Sequence, residues 1–210
     1  MGREEDSNYY DKIYDTAQIY SEHPDTWKIE KNPIVPTTSF YYALWNFSRE
    51  NVIEKKPEFI VDLGCGSGQF AAMLAEIQDN FTYRGYDFSS VAIDKATHLV
   101  NDPRFSFTTA DLRSYNFLKK DYIPSNTVFT AHEFLEHVHF DLEVIEKIPL
   151  GCYFSFSVPS FDYSNHVRHF VNYGQVFDRY SPLLDIQRNL VITKSDHDNK
   201  KWFVCMGKRI

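Results

Sequence analysis

The sequence has few cysteines and no long hydrophobic run. Its 210 residues include only Cys65, Cys152 and Cys205, which are far apart and lie in or beside predicted strands. This spacing argues against a disulfide framework and against a zinc site. No apolar segment approaches the ~20 residues of a transmembrane helix, and the N-terminal residues MGREEDSNYY are too polar for a signal peptide. We therefore expect a cytoplasmic protein without membrane association.

Positive charge is also scarce. The chain has 22 Lys and Arg against 29 Asp and Glu, which gives a formal net charge of −7. Because phosphate neutralisation dominates the affinity of proteins for nucleic acids, this balance argues against a nucleic-acid partner. The length and a hydrophobic content of 43% predict one globular domain with a sizeable core. We expect a small-molecule partner, and the sequence leaves open a monomer or a homodimer.

A glycine-rich turn joins a predicted strand to a predicted helix. The strand is FIVDL at 59–63, and the turn that follows contains Gly64, Gly66 and Gly68. Glycine allows positive φ angles, and the first N–H groups of a helix point toward a ligand lying against the turn. The order GxGxG differs from the dinucleotide-binding GxGxxG, because position 69 is Gln. The turn therefore predicts a nucleotide-type cofactor, but not a dinucleotide.

Two further predicted strands end in acidic residues. Asp87 follows a strand at 81–86, and Asp111 follows a strand at 105–110. An acid at the end of the second strand of a βαβ unit can accept hydrogen bonds from both hydroxyls of a ribose. Since the carboxyl ends of parallel strands meet at one edge of a sheet, we expect both carboxylates near the glycine turn.

The ordered pattern VDLGCGSGQF, then Asp87, then Asp111 resembles the class I S-adenosylmethionine (SAM) dependent methyltransferases. The resemblance implies an α/β, Rossmann-like fold: a seven-stranded, mostly parallel sheet with an antiparallel C-terminal strand and helices on both faces. It implies one domain over 1–210, with an N-terminal helical lid at 1–57 and the core at 58–210. SAM would be bound by Asp62, Gly64, Cys65, Gly66, Ser67, Gly68, Asp87, Phe88, Asp111 and Leu112, and by Tyr10, Tyr14 or Tyr20 of the lid.

The segment EFLEH, residues 133–137, follows a fourth predicted strand at 126–131. We predict that it begins a helix that continues to Pro149. On a helix, Glu133, Glu136 and His137 would point the same way, because residues three and four apart are neighbours on its surface.

This segment resembles the ExxEH element of the ubiquinone-pathway O-methyltransferases and of the 3′-terminal small-RNA 2′-O-methyltransferases. In those families the two Glu and the His, with a later His, hold a divalent metal that orients a vicinal diol. For this chain the resemblance implies Mg²⁺ or Mn²⁺ held by Glu133, Glu136, His137 and His166, with His169 as the alternative to His166.

Roles without a metal stay open for the same residues. His137 or His166 could act as the base that deprotonates a hydroxyl, and Glu133 could instead contact the cofactor or cap a helix. Arg168 and His169 are candidates for binding the acceptor, since an arginine pairs well with a carboxylate or phosphate. A surface salt bridge is the alternative for Arg168.

The sequence thus predicts O-methylation of a small metabolite or sugar-type acceptor, at a hydroxyl, phosphate or carboxylate oxygen. The stretch SVPSFDYSNHVRHF resembles small bacterial methyltransferases that accompany surface-polysaccharide or specialised-metabolite pathways. No Asn-Pro-Pro-Tyr type sequence follows the fourth strand, which argues against methylation of a base amino group or a glutamine amide. The alternatives are a metal-independent N-methyltransferase of a small amine and a catalytically silent SAM-binding partner protein.

Overall fold

Short apolar runs form seven strands of one sheet. The computed structural model describes residues 2–15, 40–193 and 199–210. The strands are β1 (Phe59–Leu63), β2 (Thr82–Asp87), β3 (Phe105–Thr109), β4 (Thr127–Ala131), β5 (Tyr153–Pro159), β6 (Leu184–Thr193) and β7 (Lys201–Arg209). Their order in the sheet is β3-β2-β1-β4-β5-β7-β6. Strands β1 to β5 pair in parallel, whereas β7 is antiparallel to both of its neighbours, so the predicted fold class is confirmed.

Six helices are described with the sheet. They are α1 (Ser7–Asp15), α2 (Phe40–Glu54), α3 (Gln69–Ala75), α4 (Ser90–Leu99), α5 (Asp141–Lys147) and α6 (Tyr173–Tyr180). Helices α2 and α3 pack on one face of the sheet, and α5 and α6 pack on the other. No helix among the described residues is long and apolar enough to cross a membrane.

The core lies on both faces of the sheet. Alternate residues of β1 show this arrangement, because Val61 and Leu63 belong to one buried cluster and Ile60 belongs to the other. A strand that is covered on both faces reads as a continuous apolar run, as FIVDL nearly does. The exception is Asp62, which is buried and polar.

The strand order reverses between β1 and β4. The chain continues from β1 to β2 on one side, while β4 lies on the other side of β1. Ligands of open α/β sheets bind at the carboxyl ends of the strands beside such a reversal. The glycine turn after β1 and the EFLEH segment after β4 both lie at this position.

The predicted helix from Glu133 to Pro149 is wrong. Glu133 has a φ of 51°, in the left-handed region, and only the single 3-10 turn Leu135–His137 follows before α5 begins. Tertiary contacts hold this conformation: the Glu133 N–H donates to the Ser157 hydroxyl at 3.0 Å, and the Phe134 ring packs against Gly64. The carboxylates of Glu133 and Glu136 therefore do not share one helical face.

The two described helices of the predicted lid lie in different places. Helix α1 packs against α4 beside the glycine turn, whereas α2 packs against α3, β5, β6 and β7. Helix α1 is thus the one beside the glycine turn, and a lid function remains a prediction. The predicted contact from Tyr20 lies outside the described residues.

Candidate active site

The glycine turn after β1 is tightly enclosed. Gly64 and Gly66 have φ angles of 77° and 53°. A β-carbon on Gly64 would lie 2.6 Å from the Phe134 ring, and one on Gly66 would lie 2.9 Å from the Tyr14 hydroxyl. The backbone conformation therefore favours glycine at both positions, and the lack of space beside Phe134 adds to this at Gly64.

Asp87 fixes this turn to the beginning of α4. One carboxylate oxygen accepts from the Gly66 N–H at 3.0 Å, and the other accepts from the Ser89 N–H at 2.9 Å. Ser89 in turn caps α4, since its hydroxyl accepts from the Ala92 N–H. Burial raises the pKa of Asp87 to about 6. The carboxylate is therefore oriented before any ligand arrives.

A cavity of about 620 Å³ opens at the carboxyl ends of the strands. This volume suits a ligand of nucleoside size. The predicted site residues that line it are Tyr10, Tyr14, Gly64, Asp87, Phe88, Asp111, Leu112, Glu133 and His137. Lining residues that the sequence analysis did not single out are Glu4, Glu5, Asp6, Ser7, Ala110, Arg113, Phe134, Val138 and Phe140.

The remaining predicted cofactor residues lie beside this cavity. The buried carboxylate of Asp62 accepts from the Tyr83 hydroxyl at 2.5 Å and from the Thr130 hydroxyl at 2.7 Å. Burial raises the pKa of Asp62 to about 6. Together with Cys65 and Gly66, Asp62 lines a second cavity of about 80 Å³ that shares Tyr14, Gly64 and Glu133 with the larger one. Ser67 and Gly68 line neither of these cavities; they lie immediately before α3, with Gly68 at its N-cap position.

The N-terminal segment 2–15 forms one wall of the larger cavity. At one end, the Gly2 N–H donates to the carbonyl oxygen of His166 at 2.9 Å. At the other end, Asp11 accepts from the Ser89 hydroxyl at 2.5 Å. The segment thus passes from the loop after β5 to the start of α4. No local signal in the sequence predicts this connection, because both partners are distant in the chain.

Glu136, His137 and His166 form a compact group of possible metal ligands. One ligand atom of each lies within 4.8 Å of the others. Glu136 is 0% exposed, and neither oxygen of its carboxylate has a hydrogen-bond partner in the part of the chain that the structure describes. Buried polar groups are nearly always paired, so this carboxylate is available to accept a cation or another donor.

The two imidazoles of this group are held by backbone carbonyls. His137 Nδ1 lies 3.0 Å from the Asn165 oxygen, and His166 Nδ1 lies 3.2 Å from the Phe161 oxygen. A carbonyl oxygen can only accept, so each Nδ1 carries the hydrogen and each Nε2 keeps a free lone pair. Such second contacts are typical of histidines that bind metals.

The charges of the group are suppressed by burial. Desolvation first, and then repulsion by Glu133, raises the pKa of Glu136 well above its usual range. Desolvation, with a smaller contribution from His166, lowers the pKa of His137 to about 4. Burial also lowers the pKa of His166. A neutral acid and two neutral imidazoles can therefore take up a cation and release one proton.

Glu133 lies outside this group of three. Its carboxylate accepts from the Ser157 hydroxyl at 2.9 Å and from the Trp202 indole N–H at 3.0 Å. Burial raises the pKa of Glu133. Because it lines both cavities, Glu133 faces the ligand space with its carboxylate already held by β5 and β7. The structure thus brings together three of the four predicted metal ligands.

The two predicted acceptor residues do not line either cavity. The Arg168 side chain is 12% exposed and pairs with Asp141 at 3.0 Å. Its guanidinium also donates to three backbone carbonyls of the turn after β4, so it lies beneath that turn instead of facing an acceptor. His169 Nδ1 lies 3.9 Å from a carboxylate oxygen of Asp162, and His169 does not belong to the group of three possible ligands.

Comparisons with known proteins agree with this geometry. Residues 60–148 match the family model of a methyltransferase domain. Among solved structures, the cyclase SpnF has a TM-score of 0.69 at 10% identity, covering 100% of this chain and 99% of that chain. The magnesium protoporphyrin IX methyltransferase ChlM of Synechocystis PCC 6803, with bound SAM, has a TM-score of 0.61 at 13% identity, covering 94% and 97%.

The N-methyltransferase NodS of Bradyrhizobium japonicum WM9, in complex with S-adenosylhomocysteine (SAH), has a TM-score of 0.59 at 12% identity, covering 93% and 97%. At such identities the likeness establishes the fold alone. The named activities of these proteins also differ, since one is a cyclase, one is an N-methyltransferase and one is a magnesium protoporphyrin IX methyltransferase. These names therefore do not identify an acceptor for this chain.

Proposed function

We propose that this chain acts as a class I SAM-dependent methyltransferase and that it methylates an oxygen of a small acceptor beside a divalent cation. Glu136, His137 and His166 would hold the cation. The observation that carries the proposal is the fully buried Glu136 carboxylate, which has no partner among the described residues and lies beside two imidazoles with free Nε2 lone pairs.

The larger cavity is the proposed site of SAM. The ribose hydroxyls would donate to Asp87, the adenine would lie against Asp111 and Leu112, and the amino-acid end would lie against Gly64. Tyr10 and Tyr14 of α1 line the same cavity and would cover the cofactor. Residues 2–15 would then exclude water from the sulfonium and form the described part of the proposed lid.

His137 lies between the proposed cofactor site and the proposed cation site. It lines the cofactor cavity and also belongs to the group of three ligands. An acceptor oxygen bound beside this group would therefore face the cofactor, as in-line methyl transfer requires. A bound cation would lower the pKa of an acceptor hydroxyl. The chain itself supplies the negative charge of Glu136 and the fixed orientation of both imidazoles.

The type of ligand favours one of the two expected ions. Mg²⁺ prefers sites made of oxygen atoms, whereas Mn²⁺ accepts imidazole nitrogen more readily. Two of the three ligands here are imidazoles, so we propose Mn²⁺ over Mg²⁺. Deprotonation by His137 alone is the weaker alternative, because a group whose pKa is lowered to about 4 is a poor base near neutral pH.

The acceptor class follows from the sequence resemblance. We propose a sugar-type or other small metabolite acceptor that offers a hydroxyl, phosphate or carboxylate oxygen, in surface-polysaccharide or specialised-metabolite biosynthesis. The compartment proposed is the cytoplasm, since Cys65, Cys152 and Cys205 are buried and unpaired.

Calorimetric titration of the EDTA-treated protein tests the proposal. SAH and SAM should each bind once, and Mn²⁺ should then bind saturably. Glu136→Gln should weaken Mn²⁺ binding by roughly 100-fold or more while the SAH affinity stays within about twofold. Glu143→Gln is the matched control, because Glu143 is an exposed carboxylate on α5.

Each outcome of this titration supports a different function. SAH binding without Mn²⁺ binding would contradict the cation and leave metal-independent N-methylation as the function to pursue. SAH and Mn²⁺ binding without turnover on any acceptor would favour a silent SAM-binding protein. Failure to bind either SAH or SAM would contradict the assignment of the larger cavity.

A further inference from the structure

Two separate segments must meet to form the proposed cation site. Glu136 and His137 lie on the 3-10 turn after β4, and His166 lies on the loop after β5. Two contacts join the segments: the Val167 N–H donates to the backbone carbonyl oxygen of Glu136 at 2.8 Å, and the imidazole Nδ1 of His137 lies 3.0 Å from the backbone carbonyl oxygen of Asn165. The third link is a side chain on the second segment.

The guanidinium of Arg168 contacts backbone carbonyls at the start of the 3-10 turn and just after its end. It donates to the carbonyl oxygens of Leu135 and Val138, the latter at 2.5 Å, and is 3.4 Å from that of His139. Carbonyls at the end of a short helical turn have no partner within it and need one elsewhere. A planar guanidinium with five N–H groups can serve several carbonyls at once, whereas an ammonium cannot do so with the same geometry.

Asp141 holds Arg168 in turn. Its carboxylate is 0% exposed and lies 3.0 Å from the Arg168 guanidinium. The same carboxylate accepts from two nitrogens of Arg179, at 2.8 and 2.7 Å, and from the Tyr180 hydroxyl at 3.0 Å. Arg168 is therefore held on one side by α5 and α6, with its remaining donors directed at the turn.

We propose that Arg168, oriented by Asp141, is a positioning residue that sets Glu136 and His137 against His166. This inference rests on the proposed function, because it assigns a role toward the same three ligands. It also replaces the expected contact between Arg168 and an acceptor. Arg168 touches neither cavity, so its effect on chemistry is exerted through the turn.

Arg104 provides a matched control elsewhere in the fold. It also pairs with an aspartate, Asp102, at 2.6 Å. Its guanidinium donates to three backbone carbonyls, those of Ala75, Ile77 and Asp79, at 3.0, 2.7 and 2.8 Å. Arg104 immediately precedes β3 and therefore lies at the amino ends of the parallel strands, whereas the site lies at their carboxyl ends. Replacement by lysine removes the same kind of contact at both positions.

The experiment compares Arg168→Lys with Arg104→Lys in the full chain. The measurements are the Mn²⁺ affinity by electron paramagnetic resonance, the SAH affinity by calorimetry, and the ¹⁵N signals of the imidazoles in metal-free protein. Arg168→Lys should weaken Mn²⁺ binding by about 10- to 100-fold, as losses of outer contacts to metal ligands do, with the SAH affinity within about twofold. His137 should become a mixture of tautomers, since its contact with Asn165 loosens.

Arg104→Lys should change neither the Mn²⁺ affinity nor the imidazole signals, even if it lowers the melting temperature as much as Arg168→Lys does. Equal losses of Mn²⁺ affinity in the two variants would assign Arg168 a merely structural role and overturn the proposal. Should the Arg168 variant not fold, Arg179→Lys is the second variant. This change weakens the ion pair between Arg179, whose side chain is 34% exposed, and Asp141. It should lower the Mn²⁺ affinity by less than Arg168→Lys does.

The imidazole signals separate this inference from the proposed function. If the unaltered protein binds no Mn²⁺, the cation part of the proposed function fails, and the tautomer of His137 still tests the positioning. A mixed tautomer in Arg168→Lys alone would support the inference. An unchanged tautomer would overturn it.

Discussion

The proposed cofactor site and the proposed cation site differ in how their buried acids are paired. Asp87 accepts two backbone N–H groups from the segments that flank it, so its carboxylate is paired before a ligand binds. Glu136 has no partner for either oxygen among the described residues, although it is equally enclosed. A paired group orients a ligand at little cost, whereas an unpaired one lowers stability until its ligand arrives.

Removal of Asp87 should have the largest effect. In Asp87→Ala, SAH loses two charge-assisted hydrogen bonds, which together contribute ~3 kcal/mol, so its affinity should fall ~100-fold. Calorimetry measures the loss, and Mn²⁺ affinity should be unchanged. Asp94→Ala is the control, because its side chain on α4 is 76% exposed. A loss below threefold would mean that Asp87 does not contact the ribose.

Replacement of the unpaired acid should stabilise the metal-free protein. Glu136→Met removes a buried carboxyl without partners and should raise the free energy of unfolding by ~1–3 kcal/mol, measured by urea denaturation in EDTA. Glu133→Met is the matched comparison on the same segment. It should lower that free energy, because Ser157 and Trp202 lose their acceptor. Equal effects in the two variants would contradict the distinction between them.

The pH dependence of cofactor binding should show a smaller effect. Burial raises the pKa of Asp87 to about 6, so the accepting, ionised form prevails above that pH and is lost as the pH falls through it. About one carboxylate in ten is ionised one unit below the pKa, so SAH should bind up to ~10-fold more weakly at pH 5 than at pH 7.5. Calorimetry across this range should find the step in the unaltered protein and not in Asp87→Asn.

The fold and the cofactor end could be predicted because their signals are local. FIVDL, the glycine turn and Asp87 follow one another closely, and the hydrogen bond from Gly66 to Asp87 joins neighbouring strands. The prediction of a helix at EFLEH was wrong because it rested on helical spacing alone. In the structure the Glu133 N–H donates to Ser157, 24 residues away, and Glu133 adopts a left-handed conformation. Tertiary structure overrides local propensity in such cases.

The surroundings of Arg168 could not be predicted from the sequence for a related reason. Its partners are backbone carbonyls and a buried aspartate, and a sequence gives no indication of which carbonyls lack a partner. The contact between Asp11 and Ser89 is equally hidden, because 78 residues separate them. The contacts of a side chain with the backbone of a distant segment thus cannot be predicted from residue type alone.

The indole of Trp202 gives the site an optical signal of its own. It is 3% exposed and donates to a Glu133 oxygen where the two cavities meet. Indole emission responds to the charge and polarity of a hydrogen-bonded neighbour. Filling of either cavity, or a change in the charge of Glu133, is therefore expected to alter the fluorescence of this tryptophan without any added label.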